Sequence, residues 1–197
     1  MGQIVLVTGG GRSGKSAYAQ RLAETLPGPR LFVATAVPFD EELKTRVARH
    51  RESRAEQGWT TKEEPLALAQ AIKAATGFSV ILVDCLTFWI NNLMWETANY
   101  PSEDQVAALC RELVSVCQGH DATCILVTNE VGFGLVPTNT AARVYRDLLG
   151  RCNQVVAAAA DAVVLLVCGL PLPLKGAESL AALGVFPMSG PGLSEEP

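Results

Sequence analysis

Five short stretches of the chain are apolar without interruption: Gln3 to Val7, Leu31 to Ala34, Ser79 to Val83, Thr123 to Val127 and Ala162 to Val167. They are rich in β-branched residues, and continuous rather than alternating apolarity is the mark of strands covered on both faces. Between them, apolar residues recur at helical spacing over about Lys15 to Leu26, Asp40 to Gln57, Leu66 to Ala75, Leu86 to Thr97, Ser102 to Cys117 and Thr138 to Ala160. Strands alternating with helices predict an α/β fold with a mostly parallel sheet of about five or more strands, flanked by helices and joined by right-handed crossovers. In such a sheet, ligands gather at the carboxyl ends of the strands.

The texture changes at Gly169: 10 of the last 29 residues are Gly or Pro, against 28 of 197 in the whole chain. We therefore expect one domain over residues 1–169 and a loosely wrapped Gly/Pro-rich tail over 170–197. A length of 197 residues leaves no room for a second full catalytic domain. Hydrophobic residues make up 49% and charged residues 18%, which excludes a disordered chain. The net charge of −4 provides no global basic field for a nucleic-acid backbone, so no nucleic-acid partner is expected.

Six cysteines (Cys85, Cys110, Cys117, Cys124, Cys152, Cys168) form no C-x-x-C pair, and several lie in apolar runs; they read as reduced core residues. The opening residues have no basic n-region or long apolar h-region, and Leu6 breaks the myristoylation pattern. The apolar stretch from Ala162 to Leu174 is too short for a bilayer and contains Pro171 and Pro173. The expectation is a cytoplasmic protein with no membrane span.

Gly9-Gly10-Gly11-Arg12-Ser13-Gly14-Lys15-Ser16 fits G-x-x-x-x-G-K-[ST], placed directly after an apolar strand and directly before a helical pattern. Glycines let successive N–H groups turn inward around phosphate oxygens, and the helix behind them presents its positive end. Lys15 is then the residue that reaches the β- and γ-phosphates, and Ser16 a ligand for Mg²⁺. The run Phe78 to Val83 ends in Asp84, a carboxylate placed to hold the same Mg²⁺ directly or through water. The chain lacks N-K-x-D, and Asp84-Cys85-Leu86-Thr87 does not supply D-x-x-G, so a GTPase-type switch is not expected.

Between Lys44 and Arg54 stand five basic residues (Lys44, Arg46, Arg49, Arg51, Arg54) and one acid, Glu52, a local sum of +4 that leaves −8 for the rest of the chain. Leu43, Val47, His50 and Arg54 share one helical face, so an apolar stripe turns polar at His50. Two readings follow: a solvated basic helix with an incidental histidine, or a nucleophile. Nearby guanidinium groups disfavour imidazolium and neutralise phosphate oxygens, which suits attack by a neutral imidazole on phosphorus. The other histidine, His120 in Gln118-Gly119-His120-Asp121, reads as a loop residue between a helix and a strand.

Several blocks together resemble one family: the phosphate loop, Val33-Ala34-Thr35-Ala36, Arg46-Val47-Ala48-Arg49-His50-Arg51, Thr128-Asn129-Glu130-Val131-Gly132-Phe133-Gly134-Leu135-Val136-Pro137, and Gly150-Arg151-Cys152-Asn153-Gln154. The chain resembles the bifunctional adenosylcobinamide kinases and adenosylcobinamide-phosphate guanylyltransferases of cobalamin biosynthesis over essentially Gln3 to Gly169. The resemblance implies phosphorylation of the aminopropanol hydroxyl of adenosylcobinamide by ATP or GTP, then transfer of GMP from GTP through a guanylylated histidine, with release of pyrophosphate. It implies His50 as that histidine and Gly9 to Ser16 as the triphosphate site. It also implies guanine-nucleotide contacts at Thr35, Ala36, Arg51, Glu52, Ser53, Arg54, Glu63 and Asp84, with adenosylcobinamide and its phosphate as partners in a homo-oligomer, a trimer. Ala36 and Asp84 depart from the Ser and Glu frequent in that family. Two alternatives stand beside this reading: a monofunctional P-loop small-molecule kinase without a covalent intermediate, and a non-catalytic nucleotide-dependent regulator.

Overall fold

The computed structural model describes residues 2–37, 58–96 and 99–184. Along the chain these form β1 (Ile4–Gly9), α1 (Lys15–Thr25), β2 (Arg30–Ala34), β3 (Trp59–Glu63), α2 (Leu68–Lys73), β4 (Val80–Asp84), α3 (Leu86–Glu96), α4 (Glu103–Gly119), β5 (Thr123–Val127), α5 (Thr140–Ala159), β6 (Ala162–Val167), β7 (Leu170–Lys175) and α6 (Ala177–Ala182). The strands make one seven-stranded sheet in the order β3-β2-β4-β5-β1-β6-β7. Every pairing is parallel except β6 with β7, which is antiparallel.

Burial on both faces explains the unbroken apolar runs. Ile4 and Leu6 of β1 join Leu31, Ile81 and Leu126 in a core covered by α2, α3, α4 and α5. Val5 and Val7 point the other way, to Phe32, Leu82, Ile125 and a cover made by α1 and α6. Each fully buried leucine or isoleucine here contributes roughly 1.5–3 kcal/mol relative to exposure. The ends of the helices are also specified locally. Ser102 and Gln105 form a reciprocal capping box on α4, and Asn139 caps α5 through Ala142 N–H. At the far end of α1, Arg30 donates to the carbonyls of Ala23, Glu24 and Leu26 at 2.9, 3.0 and 2.6 Å, satisfying acceptors the helix leaves open.

Three departures from the sequence expectations have physical causes. β3 was not anticipated because it is a sheet edge on which Trp59 alone is buried, so no apolar run marks it. α2 is shorter than the expected Leu66 to Ala75. The expected loose tail is corrected over 170–184, where β7 completes the sheet and α6 buries Leu180 fully. The turn into β7 is Cys168-Gly169, with φ of 53° and 81°, the paired positive φ of a tight hairpin turn that matches strand twist. Pro171 and Pro173 are tolerated because they pair opposite Leu166 and Val164 on an outer strand, at the alternate positions whose N–H would point away from β6. The helix expected over Asp40 to Gln57 lies outside the described residues, as does the chain beyond 184.

Candidate functional site

Register brings the chemistry together. Glu63 of β3 pairs with Ala34 of β2, Ala34 with Asp84 of β4, Asp84 with Val127 of β5, and Val127 with Val7 of β1. One row of aligned positions therefore runs across five strands at their carboxyl ends. The residues just beyond it are Thr35-Ala36, Thr128-Asn129-Glu130 and the loop from Gly9 to Gly14. Neighbouring strands lie about 4.8 Å apart, so Asp84 is roughly 10 Å from the β1 axis and Glu63 roughly 19 Å from it.

The phosphate loop is held by backbone geometry. Gly9 has φ of 153°, and a Cβ there would stand 2.6 Å from both the Leu166 carbonyl oxygen and Ser13 Oγ. Gly14, with φ of 91°, is the N-cap of α1 and leaves the first-turn amides free of any side-chain cap. Such uncapped amides at a helix start form an anion site. The loop is tied to its surroundings by Ser13 N–H to the Gly10 carbonyl at 3.3 Å, Glu130 N–H to the Gly9 carbonyl at 3.0 Å, and Gly169 N–H to the Ser13 carbonyl at 3.0 Å. Lys15 Nζ donates to the Gly10 carbonyl at 3.1 Å, so its ammonium lies over the loop. Arg12 and Ser16 are exposed.

Four buried side-chain polar atoms have no hydrogen-bond partner among the described residues: Thr8 Oγ1, Ser13 Oγ, Asn129 Oδ1 and Tyr18 Oη. The first three sit at this strand edge. Buried polar atoms are normally satisfied, so their concentration here marks a place shaped for a polar ligand. For Mg²⁺ the donor set fits: the Ser16 hydroxyl and the half-buried Asp84 carboxylate are hard oxygen donors, leaving most coordination to phosphate and water. The roughly 10 Å between the strands favours Asp84 acting through water.

The structure divides the other expected site residues. Ala36 is half-buried and Glu63 exposed on the same edge. Thr35 is fully buried, and its hydroxyl donates to the Cys85 carbonyl at 2.7 Å and accepts from Cys85 N–H at 2.8 Å. Its carbonyl accepts from Asn92 Nδ2 at 2.8 Å, so Thr35 braces the strand end and presents no hydroxyl to a ligand. Burial, and then the Asp84 charge, push the Cys85 thiol up to about 11. It is therefore protonated at neutral pH and is no nucleophile. His50, Arg51, Glu52, Ser53 and Arg54, with Arg46 and Arg49, lie outside the described residues. His120 is structural: Nδ1 accepts from Ala122 N–H at 2.9 Å, which leaves Nε2–H to donate to the Ala75 carbonyl at 3.0 Å.

A polar network after β5 carried no assigned role in the sequence reading. Thr128 Oγ1 donates to Asn153 Oδ1 at 2.7 Å, Asn153 Nδ2 donates to the Asn129 carbonyl at 2.9 Å, and Asn129 N–H donates to Thr87 Oγ1 at 2.9 Å. Asn153 of this network also lines a cavity of about 720 Å³ between the β1 end and the polar stripe of α5, with Thr8, Glu130, Arg146 and Arg151 in its walls. The available signal was Thr128-Asn129-Glu130 directly closing a buried strand, the same placement as Asp84.

The chain matches the family model described as "Cobinamide kinase / cobinamide phosphate guanyltransferase" over residues 5–174. It is 37% identical to the bifunctional adenosylcobalamin biosynthesis protein CobU of Escherichia coli strain K12, covering 87% of this chain and 99% of that protein. It is 40% identical to the bifunctional adenosylcobalamin biosynthesis protein CobP of Pseudomonas aeruginosa, covering 87% and 96%. Among solved structures it is similar in fold to a DnaB-like replicative helicase (TM-score 0.50, 13% identity, 83% of this chain and 46% of that one). It is likewise similar to the ATP synthase subunit NeqB of Nanoarcheaum equitans (TM-score 0.53, 14% identity, 91% and 52%). These likenesses bear on the fold alone and agree with a P-loop NTPase-type sheet.

Proposed function

The chain belongs to the cobinamide kinase / cobinamide phosphate guanyltransferase family, and from that premise we propose how its residues divide the two reactions. The substrate is adenosylcobinamide, phosphorylated on its aminopropanol hydroxyl by ATP or GTP; GMP from GTP is then joined to that phosphate. What supports this division is the meeting of the phosphate loop and Asp84 at one row of strand ends within a family match covering residues 5–174.

In the first reaction the acceptor oxygen attacks the γ-phosphorus, and the bond to the β–γ bridging oxygen breaks. Loop amides from Gly9 to Gly14 and the Lys15 ammonium stabilise charge on the phosphates as it shifts toward the leaving diphosphate. Ser16 and Asp84 would hold Mg²⁺, which when bound would supply positive charge to offset that of the triphosphate. In the second reaction His50 attacks the α-phosphorus of GTP, pyrophosphate leaves, and a phosphoramidate forms. An oxygen of the cobinamide phosphate then attacks that phosphorus and expels neutral imidazole. Arg46, Arg49, Arg51 and Arg54 offset the charge of the phosphates around it.

Ala36, Arg51, Glu52, Ser53, Arg54 and Glu63 belong to the guanine-nucleotide side of this proposal, and assembly as a homotrimer belongs to it as well. The test is intact mass after incubation with GTP and Mg²⁺. An increase equal to one GMP, lost in acid and retained in mild alkali, is the expected result. No adduct while adenosylcobinamide-GDP still accumulates would rule out the histidine intermediate.

A further inference from the structure

We propose that the Glu130 carboxylate receives the proton of the acceptor hydroxyl in the phosphorylation reaction, with the cavity beside α5 admitting the acceptor's side chain. The assignment rests on the kinase reading above and adds a catalytic residue to it. β5 lies between the phosphate-loop strand and the Asp84 strand, and the chain leaving β5 is stitched to β1 by Thr128 N–H to the Val7 carbonyl at 2.9 Å and by Glu130 N–H to the Gly9 carbonyl at 3.0 Å. The Glu130 backbone is therefore fixed against the first residue of the phosphate loop.

The side chain is positioned as firmly. Glu130 Oε1 accepts from Gly132 N–H at 2.6 Å, and a Cβ at residue 132 would come within 2.8 Å of that oxygen, so Gly132 is what lets the carboxylate turn in this way. Oε2 makes no hydrogen bond among the described residues. Both Glu130 and Thr8, whose hydroxyl lacks a partner, line the cavity of about 720 Å³, a volume that accommodates a sizeable part of a small-molecule substrate.

The other carboxylates near the reaction are committed or remote. Asp84 stands on the metal side, where a ligating carboxylate is not free to take a proton. Asp147 of the same cavity is paired with Arg146 at 2.8 Å, and Glu103 stands in the first turn of α4, not at a strand end. Glu130 alone among these lies at the end of the strand bonded to the phosphate loop. As the acceptor oxygen bonds to the γ-phosphorus, its proton passes to Glu130, the diphosphate leaves with the electron pair of the broken bond, and Glu130 then releases the proton to water.

Glu130→Gln separates this role from a bracing one, since the amide oxygen can still accept from Gly132 N–H but the group cannot take a proton. In the full-length enzyme, kcat for phosphorylation of adenosylcobinamide should fall by about 100-fold or more, with KM for the nucleoside triphosphate within about twofold. Guanylyl transfer to supplied adenosylcobinamide phosphate should stay within about twofold of wild type, and Glu130→Asp should recover at least about tenfold of the lost rate. Phosphorylation by Glu130→Gln within about threefold of wild type would overturn the assignment alone. So would equal loss of both reactions in the two variants, because the residue would then be structural. Absence of phosphorylation by the wild-type enzyme would overturn the kinase reading and this assignment with it.

Discussion

The two ends of the row of strand termini are built by opposite means. At β1 the binding groups are main-chain amides, set by glycine conformations and by hydrogen bonds from Glu130 and Gly169 to the loop carbonyls. At β2 and β3, roughly 14 and 19 Å away, the residues are side chains on strand ends, and the one most buried, Thr35, is spent on holding Cys85. A phosphate is recognised by what every residue has, its N–H, so that end is specified by the absence of side chains. In the proposed division of the two reactions, the other end draws on particular functional groups. Separate stations on one edge suit two attacks at different phosphorus atoms.

The sharpest way to break this comparison is His50→Ala. Guanylyl transfer and labelling from α-phosphate-tagged GTP should vanish, while phosphorylation of adenosylcobinamide stays within about twofold. Uptake of label by this variant would erase the distinction between the two ends. Next in size is Lys15→Ala, expected to lower phosphorylation by about 10²–10³-fold, as loss of one preorganised charge-stabilising donor does. Its melting temperature should hardly move, because the hydrogen bond from the ammonium to the Gly10 carbonyl is a solvent-exposed one that water can replace; near-wild-type turnover would refute the role of the loop.

A smaller effect sharpens the contrast from the other side. Thr35→Val keeps shape but leaves the Cys85 N–H without its partner and the Cys85 carbonyl with Trp89 N–H alone, costing about 1–3 kcal/mol of stability. Chemical denaturation should show that loss, with phosphorylation by the folded fraction little changed. The smallest test uses thiols. Of the six cysteines, five are buried and Cys168 is exposed, so a thiol reagent at neutral pH should titrate one group quickly in the native enzyme and the rest only after unfolding. Rapid reaction of Cys85, buried and pushed up to about 11, would show the β4 end to be more open than described.

The same contrast governs what could be read from the residues alone. Five strands were legible because burial on two faces demands continuous apolarity, as at Ile81, Leu82 and Val83. β3 and β7 were not, since an edge strand needs only a few inward residues and tolerates Pro171 and Pro173. The phosphate loop was legible because its backbone requirements leave glycines in the sequence. The main-chain bonds of the Thr35 hydroxyl were not legible, because a hydroxyl at a strand end has the same one-letter appearance whether it meets ligand or main chain. Glu130 carried only the signal of a polar triplet closing a buried strand, which names no partner for it. Only the strand order, which slips β5 between β1 and β4, brings it to the phosphates.

The outer strand carries a consequence of another kind. Leu170, Leu172 and Leu174 are exposed on β7, a composition that ordinarily invites another polypeptide to continue the ladder. The prolines at 171 and 173 remove amide donors from the side of the strand that such a newcomer would need. The margin is thus greasy yet poor in the outward amide donors that strand addition needs, which protects a concentrated solution of the protein from growing cross-β aggregates at this edge of its sheet.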